Sequence, residues 1–547
     1  MNRRPLGYLG LAATLVIAVA LAACGGKSDS DGSSGDTTSS VTADLRLLGG
    51  DPITLDPALA GDAGSATYIV EIFGGLVSLD PNLRIIPDIA EALPTAQNGG
   101  VVSNADGTVS YTFKIRRDAM FHDGRPVTAE DFKYSFEHAL DPKTLSTVAE
   151  AYLGDIVGAR DLSRGRATSL SGVQVVDSST LRITIDGPKP YFLAKLTYPT
   201  AFVVDKTQIA ANPRNWTRKP NGTGPYKLQD FRLNERIILQ ANDRYHLGAP
   251  PTKRILFNLA GGSSLTQYEN GEIDASGIGL NDIERVQSTR DPLSQEYVTG
   301  QNLSISYIGF NTKTPPFDDA KVRLAFAKAI DRDQIARVVL KDMLPVANSI
   351  MQPGLPGYSK DASTPTFDPA AAKRLLEESK YGGARNLPQV TLSEIGGGAT
   401  AGFDTQAMIE MWKTNLGVDV AIAQSEEASF FDDLDRGRLQ MFSIGWIMDY
   451  PDPEDIIDLL FNSKSRQNNT GYDSPEFDDL VLRARTEQDV EKRLQLYRDA
   501  EQILLRDVPW MPLYFGKDHF VVKPYVKGFG PSPIVIPRLR YVTIEKR

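Results

Sequence analysis

The chain of 547 residues holds one cysteine, Cys24, and four histidines, His122, His138, His246 and His519. One thiol excludes an internal disulfide and any cysteine-ligated metal cluster. The histidines are scattered, with no His-x-x-x-His pair, so the common zinc arrangements are missing. There is no Gly-x-Ser-x-Gly elbow, no Gly-x-x-x-x-Gly-Lys-Ser/Thr phosphate loop and no dinucleotide fingerprint, which removes the frequent nucleophilic and phosphate-binding motifs. Excess positive charge is missing as well: 59 Lys and Arg stand against 69 Asp and Glu, net −10. Such a surface repels nucleic acid, and no nucleic-acid partner is expected. After Cys24 no apolar run is long enough to cross a bilayer. Asp449, Asp452 and Asp455 suggest a cation loop, but Pro451 and Pro453 interrupt it and no loop glycine follows. The pair Asp432-Asp433 reads as a solvated helix face. These gaps point away from an enzyme; no catalytic residue, cofactor or metal is expected.

What is present begins at the first residues. Arg3 and Arg4 precede an apolar run from about Leu9 to Ala23, and small residues flank Cys24. A basic start, an apolar stretch and small residues at the cut describe a signal peptide over 1–23. Leu21-Ala22-Ala23-Cys24-Gly25 resembles the lipobox of bacterial lipoproteins, which implies cleavage before Cys24 and lipidation of that residue. The protein is then extracytoplasmic, lipid-anchored to the outer face of the bacterial cell membrane. Arg3-Arg4 leaves both general secretion and twin-arginine export open. Residues 24–41, rich in Gly, Ser, Thr and Asp, form a flexible linker. Loss of the two signal arginines leaves 57 basic against 69 acidic residues in the mature chain, net −12.

Beyond the linker, strand-like and helix-like patterns interleave, the mark of an α/β fold. Tyr111 to Ile115 alternate apolar and polar, as a half-buried strand does. Thr128 and Asp131 form a capping box ahead of Phe132, Phe136 and Leu140 on one face. Val322, Ala325, Phe326, Ala329 and Ile330 recur at helical spacing, and Asp331 and Asp333 suggest a cap for a second helix carrying Ile335 and Val338. Asp368-Pro369 and Ser474-Pro475 open further helices. Val490, Leu494, Tyr497 and Leu504 share a stripe, expected in the core.

Several segments resemble the bacterial extracellular solute-binding proteins of family 5, the oligopeptide- and dipeptide-binding lipoproteins of ABC transporters. They are Leu55-Asp56-Pro57-Ala58, Ile72 to Val77, Pro87 to Glu91, the stretch YTFKIRRDAMFHDGRPVTAEDFKYSFEHALDP (111–142), Gly222 to Tyr226, IGFNTKTPPFDDAKVRLAFAKAIDRD (308–333), GWIMDYPDP (445–453) and Pro509 to Tyr514. Their order and spacing match over nearly all of 42–547. The resemblance implies a two-lobed periplasmic-binding-protein-like fold of type II around a ligand cleft, with an extra subdomain. Lobe I would take 42–76, 198–305 and 513–547, the extra subdomain of lobe I 77–197, and lobe II 306–512. The chain would cross the hinge near Tyr307–Asn311 and near Pro512–Tyr514.

The implied function is capture of peptides outside the membrane and delivery to an ABC permease and its ATPase subunits, by a monomer. Other solutes (a nickel chelate, a sugar or an amine) and a cleft enzyme such as a peptidase are the alternatives. The resemblance further implies that Asp449 meets the ligand's ammonium. Gly445, Trp446, Ile447 and Tyr450 would lie along the ligand, whose backbone adds as a strand. Gly61, Asp62 and Ala63 would pair with it from the facing lobe. Some oligopeptide binders carry an arginine for the ligand carboxylate where this chain has Ser443, so the carboxylate partner and the ligand length stay open.

Overall fold

A computed structural model describes residues 44–396 and 401–546; the signal 1–23, Cys24 and the linker 24–41 lie outside the described residues. Strands and helices interleave along the described chain, and none of its helices is long and apolar enough to cross a membrane.

Leu45–Leu48, Arg254–Asn258, Arg236–Ala241 and Tyr226–Arg232 lie side by side in that order. A second sheet runs Val101–Ser103, Val109–Lys114, Thr180–Ile185, Val173–Asp177, antiparallel throughout. The largest has six strands: Ala275–Gly277, Trp510–Val522, Tyr297–Phe310, Met441–Ile447, Val390–Ile395 and Val420–Ser425. Its two longest members, Tyr297–Phe310 and Trp510–Val522, pair antiparallel over most of their length. Their register breaks between Gln301 and Ile305 and shifts again between Ser306 and Tyr307.

Local signals explain most helix starts. The Asp131 carboxylate accepts from the Thr128 N–H at 2.8 Å, closing one side of the capping box before Ala129–Leu140. Asp319, Asp331 and Asp368 each accept an N–H of the first turn, at 2.8, 2.9 and 2.8 Å, and Ser474 does the same ahead of Pro475–Thr486. The helix Ala129–Leu140 buries Phe132 and Phe136 against Phe113, Leu181 and Ile183 of the second sheet. Emptying one such phenylalanine site costs about 3–5 kcal/mol.

Two expected core positions are on the surface. Val338 is 64% exposed: the backbone over Ile335–Val339 widens to a π-type turn, which rotates Val338 off the face that Ile335 buries. Val490 is 66% exposed, because it opens the helix Val490–Asp507 ahead of the first packed turn. The buried stripe there is Arg493, Tyr497, Ala500, Leu504.

Candidate functional site

The strand Met441–Ile447 positions the site. One edge pairs with Tyr297–Phe310, from Phe310↔Met441 to Ser304↔Ile447. The other edge meets Val390–Ile395 only at Met441 and Phe442. From Ser443 onward that second edge has no strand beside it among the described residues, so main-chain donors and acceptors stay open to an added strand. Gly445 keeps the approach clear: a Cβ there would meet only the Ile305 carbonyl, at 3.3 Å.

This open edge borders a cavity of about 430 Å³, within the range of small-ligand sites. Gly445, Trp446, Ile447, Met448 and Asp449 form one wall, and Gly61, Asp62 and Ala63 another. Two stretches nearly 400 positions apart in sequence thus share one space. The helix Glu427–Asp435 adds Glu427, Ala428, Phe431, Leu434 and Asp435, successive positions on one face, while Asp432 and Asp433 pair with Arg436 and Arg438 on the other. Tyr198, Tyr307 and Trp510 complete an aromatic lining, the last two stacked with centroids 3.4 Å apart.

Asp449 is half-buried on this wall. The Tyr152 hydroxyl donates to its Oδ2, and its own N–H donates to Asp455 Oδ2 at 2.8 Å. Tyr152 stacks on Tyr198 with centroids 3.8 Å apart. No cation contacts either carboxylate among the described residues, and Asp455 Oδ1 is buried without a hydrogen-bond partner. Loss of solvent pushes Asp449 up to about 7, against the pull of the Tyr152 hydroxyl. Burial, and then the Asp449 charge, raise Asp455 well above the carboxylate range.

Neighbouring acids are placed differently. Asp452 holds Arg493 at 2.6 Å, Asp458 holds Arg485 at 2.5 Å, and Glu454 holds Lys195 at 2.9 Å. Lys195 also reaches Asp155 at 3.3 Å, and Lys189 reaches Asp155 at 2.5 Å. Against the cost of burial, Lys195 and Lys189 hold the Asp155 carboxyl below its usual range. Glu454 stays raised, burial outweighing the Lys195 ammonium. This charged cluster ties 155–195 to 452–493 beside the cavity.

Tyr450, expected along the ligand, is not on the cavity wall: it is fully buried and its hydroxyl donates to Glu454 at 2.5 Å. Ser443 does not line the cavity either. Sequence reasoning missed Tyr152, 297 positions from the carboxylate it touches, and the wall residues Tyr198, Glu427, Phe431 and Asp435. The i, i+4, i+8 pattern of Glu427, Phe431 and Asp435 was the available signal. A second cavity of about 440 Å³ shares Ile447, Val535 and Ile536 with the first and is lined by Glu71 and Arg538.

Comparison with known proteins places these features in a family. The family model "Bacterial extracellular solute-binding proteins, family 5 Middle" matches residues 84–468. The chain is 30% identical to the periplasmic oligopeptide-binding protein OppA of Escherichia coli, over 98% of this chain and 97% of that one. The structure of the E. coli murein tripeptide binding protein MppA superposes with a TM-score of 0.80 at 29% identity, covering 92% of this chain and 98% of that one. MppA in its unliganded open form, at the same identity and covering 92% and 97%, gives 0.65.

Proposed function

The chain belongs to the bacterial extracellular solute-binding proteins of family 5, with their two-lobed α/β fold, and from that premise we propose that it captures peptides and hands them to an ABC permease with its ATPase subunits. One observation carries the reading: the open edge of Met441–Ile447 runs along the wall of a cavity whose lining includes a half-buried carboxylate, Asp449, lacking a cation among the described residues. A peptide supplies both missing partners. Its backbone pairs with the strand whatever its side chains, and its ammonium meets Asp449. Gly61, Asp62 and Ala63 face the ligand from the other lobe.

Lobe I takes 42–76, 198–305 and 513–547, with 77–197 as its extra subdomain, and lobe II takes 306–512. On this division the cavity lies between lobes, and the register break at Gln301–Ile305 sits beside the crossing strands as a hinge. The lower likeness to the open form of MppA than to the other MppA structure supports a closed arrangement here. Ligand contacts both walls and so selects the closed state. Cys24 anchors the mature protein by lipid; Cys24→Ala then loses labelled palmitate and leaves the membrane fraction.

Native mass spectrometry of the purified protein tests the capture. Peptides released on denaturation are expected, and returning them to stripped protein raises the melting temperature, since ligand binds only the folded state. Absence of bound peptide, together with no thermal shift across a peptide panel, contradicts the reading.

A further inference from the structure

The cavity wall carries four carboxylates, Asp62, Glu427, Asp435 and Asp449, and among its described lining residues no lysine, arginine or histidine. None of the four is ion-paired among the described residues. Resting on the peptide-capture reading, we propose that the ligand is a cationic peptide carrying at least one positive charge beyond its ammonium, and that its terminal carboxylate is not held by any charge in the cavity.

Charge balance along this partly open cavity, where Asp62 and Asp449 are half-buried and Glu427 and Asp435 are exposed, sets the character of the ligand. A ligand carboxylate held there needs a cation or a dense set of donors, because an uncompensated buried charge is costly. The wall offers no cation, and the position expected to supply one, Ser443, is off the wall. Arg538 is basic but belongs to the second cavity, where it donates to the Gly530 carbonyl at 2.6 Å and lies over the Phe529 ring. Acidic groups instead recur along the site. Asp449 marks one place. Asp62 caps the helix Ala63–Ile72, its Oδ1 accepting from the Ser65 N–H at 2.7 Å, which leaves its charge uncancelled. Glu427 comes from the other proposed lobe, yet its carboxyl is raised first by loss of solvent and then by the Asp62 charge. Closing the lobes therefore brings two like charges toward each other, and a guanidinium or ammonium between them turns that repulsion into a bridge. Single-sign walls of low polarity also concentrate cations ahead of binding. The aromatic lining of Tyr198, Phe431 and Trp446 suits the stem of a long basic side chain or an apolar neighbour.

Four probes test this by calorimetry on the full mature protein: Ala-Phe-Arg amide, Ala-Phe-Gln amide, Ala-Phe-Glu amide and Ala-Phe-Gln with a free carboxylate. The arginine amide is expected to bind at least tenfold tighter than the glutamine amide, and the glutamate amide at least tenfold weaker. The glutamine amide should bind no more weakly than its free acid. In the double variant Asp62→Asn, Glu427→Gln, which keeps the helix cap acceptor, the arginine-to-glutamine gap should shrink below about threefold. Equal binding of all probes, or tighter binding of the free acid than of its amide, overturns the charge assignment and leaves peptide capture standing. Failure of every probe to bind overturns peptide capture and the charge assignment with it.

Discussion

Five acidic residues fall within one stretch of ten, and the structure treats them in two ways. Asp452, Glu454 and Asp458 each hold a basic side chain. Asp449 and Asp455 hold none among the described residues; they touch a tyrosine hydroxyl, an indole and a backbone N–H. Neutralising a buried acid is within easy reach of this fold, since Lys189, Lys195, Arg485 and Arg493 all lie in the neighbouring cluster. The unpaired acids lie at the cavity wall and just behind it. The difference teaches that the cation is missing where acids border the cavity and supplied where acids tie one segment of the chain to another.

Glu501 marks the boundary of that rule. It is buried without a cation too, but it accepts the N–H groups of Ile350 and Met351, both at 2.8 Å, and lines neither cavity. Backbone donors can therefore stand in for a counter-charge in the interior. A missing cation points to a ligand only where the carboxylate faces space.

The largest expected effect comes from unpairing a structural acid. Arg485→Met strands the fully buried Asp458, and breaking a buried pair costs about 3–5 kcal/mol; chemical denaturation should report a loss of that size. Asp449→Asn should shift unliganded stability far less. A larger loss for Asp449→Asn than for Arg485→Met would invert the comparison.

Next is pH. Burial raises Glu501 to about 7, above its ordinary carboxylate value, so the folded state binds the proton more tightly than the unfolded one. Folding stability from this group is greatest at low pH and falls as pH rises from about 4.5 to 7. At 1.36 kcal/mol per pKa unit the change is about 2–3 kcal/mol. Glu501→Gln should flatten that slope in denaturation series at stepped pH while leaving peptide affinity within about twofold. An unflattened slope would mean the penalty is carried by other acids.

A smaller effect separates closure from folding. Lys195 bridges Asp155 in the proposed extra subdomain to Glu454 in proposed lobe II. In Lys195→Met the Glu454 charge is uncompensated only when the lobes are closed. A hydrogen bond to a charged group is worth about 1.5–3 kcal/mol, so affinity should drop roughly ten- to a hundredfold, with little change in unliganded melting. Unchanged affinity with lowered melting would make the cluster a permanent contact and not a latch.

What was legible in the sequence follows from how local each determinant is. Helix starts depend on a cap and its first turn, so Thr128 with Asp131, Asp331, Asp368 and Ser474 could be read directly. Periodicity named buried positions as long as the helix kept its usual turn and had a neighbour to pack on. It failed at Val338, where the turn widens, and at Val490, where packing has not begun. Fold and family were legible because motifs such as GWIMDYPDP stand in order over the whole body. The cavity was legible only in part. Gly445, Trp446, Ile447, Asp449 and Gly61 to Ala63 meet there, whereas Tyr450 turned to Glu454. Tyr152, Tyr198 and Trp510 come together only through the fold, and no pattern in the chain announces that a wall will contain acids and no base.

The central claim is that Asp449 awaits the ligand's ammonium, and a thermodynamic cycle tests it directly: Ala-Phe-Arg amide, with its amine free or acetylated, titrated into wild type and Asp449→Asn. Removing one partner of a buried charge pair costs about 2–5 kcal/mol, a loss of roughly 30- to several-thousand-fold. Acetylation should weaken binding to wild type by that factor and binding to Asp449→Asn by less than about threefold, because both changes remove the same pair. Equal affinity of wild type for the free and the acetylated peptide would contradict the account.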